Sequence, residues 1–193
     1  MNTVRPGRRS GELRGLKRAL WLLPTLIPGL ASAHPVDEVV QGAYLTVAPG
    51  QLRLELDLTP GTEVAGAVLK RLDANGDRRI SDAEARAFGE RVLRQSTLTV
   101  DGKAAAWRLE RVDTPSYADL EQSTPTLKIY ATATRPDRAA PQAFSYENRY
   151  QPAKSQWIAN VFLQPGGGGR YRVIGQQHTG DGRGLTVNYA ASR

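Results

Sequence analysis

Alternation is the first signal in the chain. Leu52, Leu54, Leu56 and Leu58 are interleaved with Arg53, Glu55 and Asp57, the period of two expected of a strand with one buried and one wet face. Ala43-Tyr44-Leu45-Thr46-Val47 reads as a preceding strand, and Ala48-Pro49-Gly50 between the two predicts a hairpin. Pro60-Gly61-Thr62 ends the second strand, and Thr62 is placed to cap a helix in which Val64, Val68 and Leu72 recur on one face. A second helix, begun at Ser81, has the same one-sided character through Ala85, Phe88 and Val92. From Ser96 the period returns to two: Leu98 and Val100 lead into an Asp101-Gly102 turn, and Trp107 and Leu109 alternate with Arg108 and Glu110. The polar segment from Asp113 to Pro125 reads as a long loop, and Arg135 to Pro141 as a turn. Around them Leu127-Ile129-Ala131, Phe144 to Asn148, Ile158 to Leu163, Tyr171 to Ile174 and Leu185 to Tyr189 supply further strands. Eight or nine short strands at this spacing predict a mainly β fold, an antiparallel β-sandwich over 34–193. The two helices form an inserted hairpin over 63–95, between the second and third strands. Gly166 to Gly169 reads as a hairpin tip, because a phosphate loop needs a following helix and a Lys-Ser/Thr pair.

Between the two helices stands Asp73-Ala74-Asn75-Gly76-Asp77-Arg78-Arg79-Ile80-Ser81-Asp82-Ala83-Glu84. As a twelve-residue calcium loop it presents side-chain oxygens from Asp73, Asn75, Asp77, Ser81 and Glu84 at positions 1, 3, 5, 9 and 12, with the Arg79 carbonyl at position 7. A hard divalent cation takes roughly six to eight oxygens, and polar residues at every other position of a tight loop can turn inward to provide them. A helix begun at Ser81 would carry Glu84 back over the ion, while Ile80 points to the core. The same letters also spell a capping box, Ser81-x-x-Glu84, and a solvated Asp-x-Asn-Gly-Asp turn, so a helical hairpin without metal is the plainer alternative.

Over about Glu63 to Gln95 the segment resembles an EF-hand, with one departure: the sixth position, ordinarily Gly because the chain turns there with positive φ, is Arg78. A non-glycine residue in that conformation costs roughly 1 kcal/mol or more. Arg78 and Arg79 also bring positive charge near a cation, so weakened Ca²⁺ binding is expected. More broadly, the chain from His34-Pro35 through the Ala43-Tyr44-Leu45 hairpin, the Leu72-Asp73-x-Asn75-Gly76-Asp77 loop and Leu185-Thr186-Val187-Asn188-Tyr189 resembles poorly characterised bacterial periplasmic domains. Such domains occur alone or ahead of membrane helices similar to hydrogenase- and urease-associated nickel/cobalt permeases. The resemblance implies a membrane-permease or other protein partner, and an accessory role in nickel or cobalt uptake, more than it implies a reaction.

Charge and composition narrow the picture further. The formal net charge of +7 suggests a polyanion partner until its position is considered. Residues 1–33 hold six Lys/Arg against one acid, leaving 20 basic and 18 acidic residues in the remainder. No nucleic-acid role is therefore expected. The basic stretch, the apolar run Ala19 to Leu30 and Ala31-Ser32-Ala33 have the order of a signal peptide, predicting cleavage near Ala33 and a periplasmic or secreted product. That run is short and broken by Pro24 and Pro28, and no later stretch is long and apolar enough to span a membrane. With no cysteine, disulfides and thiolate chemistry are excluded.

The two histidines, His34 and His178, raise a second metal possibility. A processed amino terminus at His34 could bind copper through its amine and imidazole, in the manner of a histidine brace, with His178 completing the set. The alternative is a plain chain start and a loop histidine. Asp181-Gly182-Arg183-Gly184 lacks the later ligands of a calcium loop and reads as a turn. There is no G-x-S-x-G elbow and no recognisable nucleophile-base pair, so no catalytic role is expected. The expectation is an exported EF-hand-like calcium-binding module in which Asp73, Asn75, Asp77, Arg79, Ser81 and Glu84 hold the ion.

Overall fold

The computed structural model describes residues 36–164 and 171–191. The leader expected over 1–33, His34 and the run Gly166 to Gly169 lie outside the described residues. Alternating burial assembles two five-stranded sheets. The first has the order β5 (Arg108–Asp113), β6 (Leu127–Thr134), β2 (Gln51–Pro60), β1 (Val39–Ala48), β8 (Ser155–Leu163). The second has the order β4 (Lys103–Ala105), β3 (Ser96–Val100), β7 (Gln142–Asn148), β10 (Gly184–Ala191), β9 (Tyr171–His178). All pairings are antiparallel except β1 with β8, which run parallel from Val39 beside Ser155 to Val47 beside Leu163.

The expected sandwich is present, and its core follows from the period. Leu52, Leu54, Leu56 and Leu58 are all buried, as are Leu45, Val47, Leu127 and Ile129 from neighbouring strands. They meet Leu98, Val100, Phe144, Tyr146, Leu185, Val187 and Tyr189 of the second sheet in one apolar cluster. Burying side chains of this size contributes roughly 1.5–3 kcal/mol each. On the outer face, Lys128 bridges Glu55 and Asp57, so the charged residues of β2 are matched across to β6.

One end of the sandwich is fastened by a buried cation. Arg135 is 1 % exposed; its Nη2 donates to the Ala48 carbonyl at 2.8 Å and its Nη1 pairs with Asp137 at 2.8 Å. Asp137 also accepts from the Gly50 amide and the Tyr171 hydroxyl. The β1–β2 turn and the β6–β7 connection are thereby joined to β9.

The helical insert sits between β2 and β3, where the hydrophobic period changes. Helix α1 (Ala65–Leu72) buries Ala65, Val68, Leu69 and Leu72, and α2 (Asp82–Leu93) buries Ala85, Phe88, Gly89, Val92 and Leu93. Thr62 does not cap α1 as expected: the helix starts at Ala65 behind Val64, with no side-chain cap. The preceding residues are held instead by backbone bonds, Gly61 to Glu38 and Glu63 to Val36, which hold the chain in a turn before it can coil. Helix α2 lies close to β5 because residue 89 is glycine; a Cβ there would meet Val112 Cγ2 at 2.6 Å. The long loop expected over 113–125 holds a third helix, α3 (Tyr117–Gln122), started by the Ser116 side chain accepting from the Asp119 amide. Its one buried residue is Leu120, too little apolar periodicity to show in a polar segment.

Leu56→Ala should cost about 2–5 kcal/mol in chemical denaturation, the usual range for a buried leucine, whereas Arg53→Ala on the opposite face should stay within about 0.5 kcal/mol.

Candidate metal site

The loop opens where α1 runs out of partners. Asp73 caps the helix with its amide, which donates to the Leu69 carbonyl at 2.8 Å, and is itself only 8 % exposed. Its Oδ1 accepts from the Gly76 amide at 2.8 Å and its Oδ2 from the Arg78 amide at 3.0 Å. Asn75 Oδ1 accepts from the Asp77 amide at 2.9 Å, and Asp77 Oδ1 from the Arg79 amide at 2.8 Å. The side chains at 73, 75 and 77 thus each fold back onto backbone amides further along, a nested series of Asx turns. Asn75 Nδ2 also donates to Asp77 Oδ2 at 3.1 Å.

Such winding needs two residues at positive φ. Gly76 takes φ +74 at little steric cost, and Arg78 takes φ +62. Arg78 therefore adopts the left-handed conformation that a calcium loop requires at its sixth position. Its guanidinium is turned toward α3, where Nη2 meets both carboxylate oxygens of Glu121 at 3.0 and 2.7 Å. Ile80 packs against the core from the loop's inner side, as expected.

Ser81 and Glu84 close the far end. Glu84 Oε2 accepts from the Ser81 amide at 3.1 Å and hydroxyl at 2.8 Å, and the Ser81 oxygen accepts from the Glu84 amide, completing a capping box. Glu84 also does something a capping box does not require. Its Oε1 accepts from the Ala74 amide at 2.9 Å and the Asn75 amide at 3.3 Å, ten and nine residues back. The twelfth loop residue therefore lies over the second and third. These donors hold the Glu84 carboxyl below the ordinary carboxylate range, led by the Ser81 amide, then the Ser81 hydroxyl, with the Asn75 and Ala74 amides adding to them.

All six expected ligands lie in this one loop. Asp73, Asn75 and Asp77 have carboxylate or amide oxygens whose capacity is only partly taken by loop amides, since an ionised carboxylate offers about four lone-pair sites. Glu84 accepts four bonds, so an ion drawing on it must displace some of them. Among the described residues no three His, Cys, Asp or Glu side chains are gathered as a ready-made metal cluster. The donors are all oxygens, the type a hard cation takes, and the carboxylates are engaged with the loop's own amides. Arg79 occupies the seventh position with its amide fixed by Asp77, and its carbonyl is the oxygen such an ion would use.

The other candidate lies elsewhere. His178 stands at the end of β9 with Nε2 2.9 Å from the Ala159 carbonyl. Asp181 Oδ1 accepts from the Thr179 hydroxyl and the Arg183 amide, closing a turn. The site's neighbours on α3, Tyr117 and Glu121, were not singled out by the sequence patterns. Ser116-x-x-Asp119 is the helix-start signal that could have pointed to them.

The pH response follows from Glu84. Because its folded-state pKa is depressed, the stability it confers is fully present above the ordinary value near 4.5 and is lost as pH falls through the lower folded value. Ser81→Ala, which removes the hydroxyl donor and the cap, should move the Glu84 carboxyl titration upward in NMR and cost about 1 kcal/mol of stability at neutral pH. An unmoved Glu84 titration would contradict the assignment of its partners. A comparison with protein-family models finds no match to the chain, and none of the curated proteins matches it.

Proposed function

We propose that the protein is an exported calcium-binding module, built on a β-sandwich and carrying one EF-hand-like loop, that serves a binding or accessory role rather than a catalytic one. Asp73, Asn75, Asp77 and Glu84 supply the main side-chain ligands, with the Arg79 carbonyl and Ser81 completing the shell. The observation that carries this reading is the left-handed Arg78 at the sixth loop position, φ +62. A residue with a Cβ resists that conformation by roughly 1–2 kcal/mol, so the surrounding loop must impose it.

The chemistry of the ligands favours calcium over softer ions. Every donor is an oxygen, calcium accepts a variable coordination number, and neither imidazole nor thiolate is present in the loop. Affinity should be modest, since the carboxylates must exchange loop amides for the ion and since Arg78 carries unfavourable charge and strain. A weak site still fills where calcium is abundant, as in extracellular modules with dissociation constants of about 0.1–1 mM. The ion then acts as a clip between α1 and α2, adding to the bond from Arg91 Nη1 to the Arg71 carbonyl at 3.2 Å. Binding only the folded chain, it stabilises by mass action.

Saturating Ca²⁺ should raise the melting temperature by several degrees, as expected for about 1–3 kcal/mol of linkage. Glu84→Gln should abolish the increment while leaving the calcium-free melt within a few degrees. A melting curve indifferent to Ca²⁺ would remove calcium from the account.

A further inference from the structure

Arg78 is the residue at which the loop departs from the glycine its geometry favours, and its side chain explains what the departure achieves. Its backbone amide donates to Asp73 Oδ2 at 3.0 Å, so it fixes the first loop carboxylate. Its guanidinium, on the other side, meets both oxygens of Glu121 and lies over the Tyr117 ring, 5.1 Å from the centroid. Both contacts belong to α3, a short helix that packs beside α1 and is anchored by the fully buried Leu120. An open pocket of about 350 Å³ beside this contact is bordered by all three elements, among them Asp73, Gly76, Arg78, Tyr117 and Glu121.

We propose that Arg78 and Glu121 form a positioning pair that makes α3 the structural partner of the Asp73–Glu84 loop, so that cation uptake and the docking of α3 are coupled. This inference rests on the calcium reading above and adds the residues that tune it. Two physical effects act through the pair. Glu121 neutralises the guanidinium, which would otherwise repel an incoming cation at short range. The ion pair and the Tyr117 contact also restrain Arg78, the residue whose amide orients Asp73. Glycine at this position would relax the backbone but lose the side-chain restraint on the amide that orients Asp73. The two side chains are 65 % and 40 % exposed, so the coupling is screened and must shrink as salt is raised.

The test is a double-substitution cycle on the mature chain, Arg78→Gln and Glu121→Gln singly and together, read by calorimetric titration with Ca²⁺ and by hydrogen exchange of residues 116–123. Glu121→Gln should weaken Ca²⁺ binding roughly two- to fivefold, the scale of an exposed pair. Adding Arg78→Gln should restore part of the loss, because the uncompensated cation is then gone. Calcium should slow exchange over α3 in the unmodified chain and do so less in Arg78→Gln. Additive effects of the two substitutions on binding, or α3 exchange indifferent to calcium, would overturn the coupling while leaving the site. Failure of the unmodified chain to take up calcium would instead overturn the loop reading, and the coupling with it. A merely structural pair would change exchange over α3 in EDTA without producing the non-additive effect on affinity.

Discussion

The alternation of β2 constrains the rest of the molecule. With Leu52, Leu54, Leu56 and Leu58 buried on one side, Arg53, Glu55 and Asp57 lie on the opposite face, exposed at Arg53 and partly covered at the other two, and any shift in register by one residue would exchange the two sets. The same condition acts on β1 and β6, which flank β2, and the second sheet supplies the apolar face that these leucines need. The helical insert leaves the sandwich at the end of β2, where Pro60 and Gly61 interrupt the strand. Its two helices cover part of the core's rim, with Phe88 packed edge-on to Tyr150 at 5.9 Å. The loop is consequently held at both ends by helices that cannot move far without exposing buried surface.

Within that frame the loop is wound by its own side chains. Asp73, Asn75 and Asp77 each satisfy amides that a tight turn leaves without helix or sheet partners, and Glu84 covers the remaining gap from the far side. The groups proposed to bind an ion are thus the groups that hold the loop's shape. That dual use accounts for modest expected affinity, because each ion-oxygen contact made to Glu84 competes with a hydrogen bond already present. It also accounts for a preorganised backbone, since little chain entropy remains to be lost on binding.

The sandwich was legible in the sequence because period two survives in nearly every long strand. Legible too were the hairpin at Pro49-Gly50, the position of the insert and the inward Ile80. Less was visible where side-chain chemistry rather than period decides. Helix α3 has one buried residue, and its cue was a Ser-x-x-Asp cap inside a stretch that otherwise reads as loop. The parallel pairing of β1 with β8 is a long-range choice that no local pattern records. Arg135 looked like an ordinary turn residue, yet it is buried against Asp137, the Ala48 carbonyl and the Tyr171 ring. For the loop, the spacing of oxygens and the conformation required of Arg78 were legible. That Glu84 bonds the Ala74 and Asn75 amides, and that Arg78 reaches Glu121, depends on the fold bringing distant segments together.

The most direct measurement is a crystal structure of residues 34–193 grown in millimolar Ca²⁺. The account predicts one ion bounded by Asp73, Asn75, Asp77 and Glu84, with Glu84 released from at least one of the Ala74 and Asn75 amides. A loop with Glu84 still bonded to both amides and no ion beside Asp73 would contradict it.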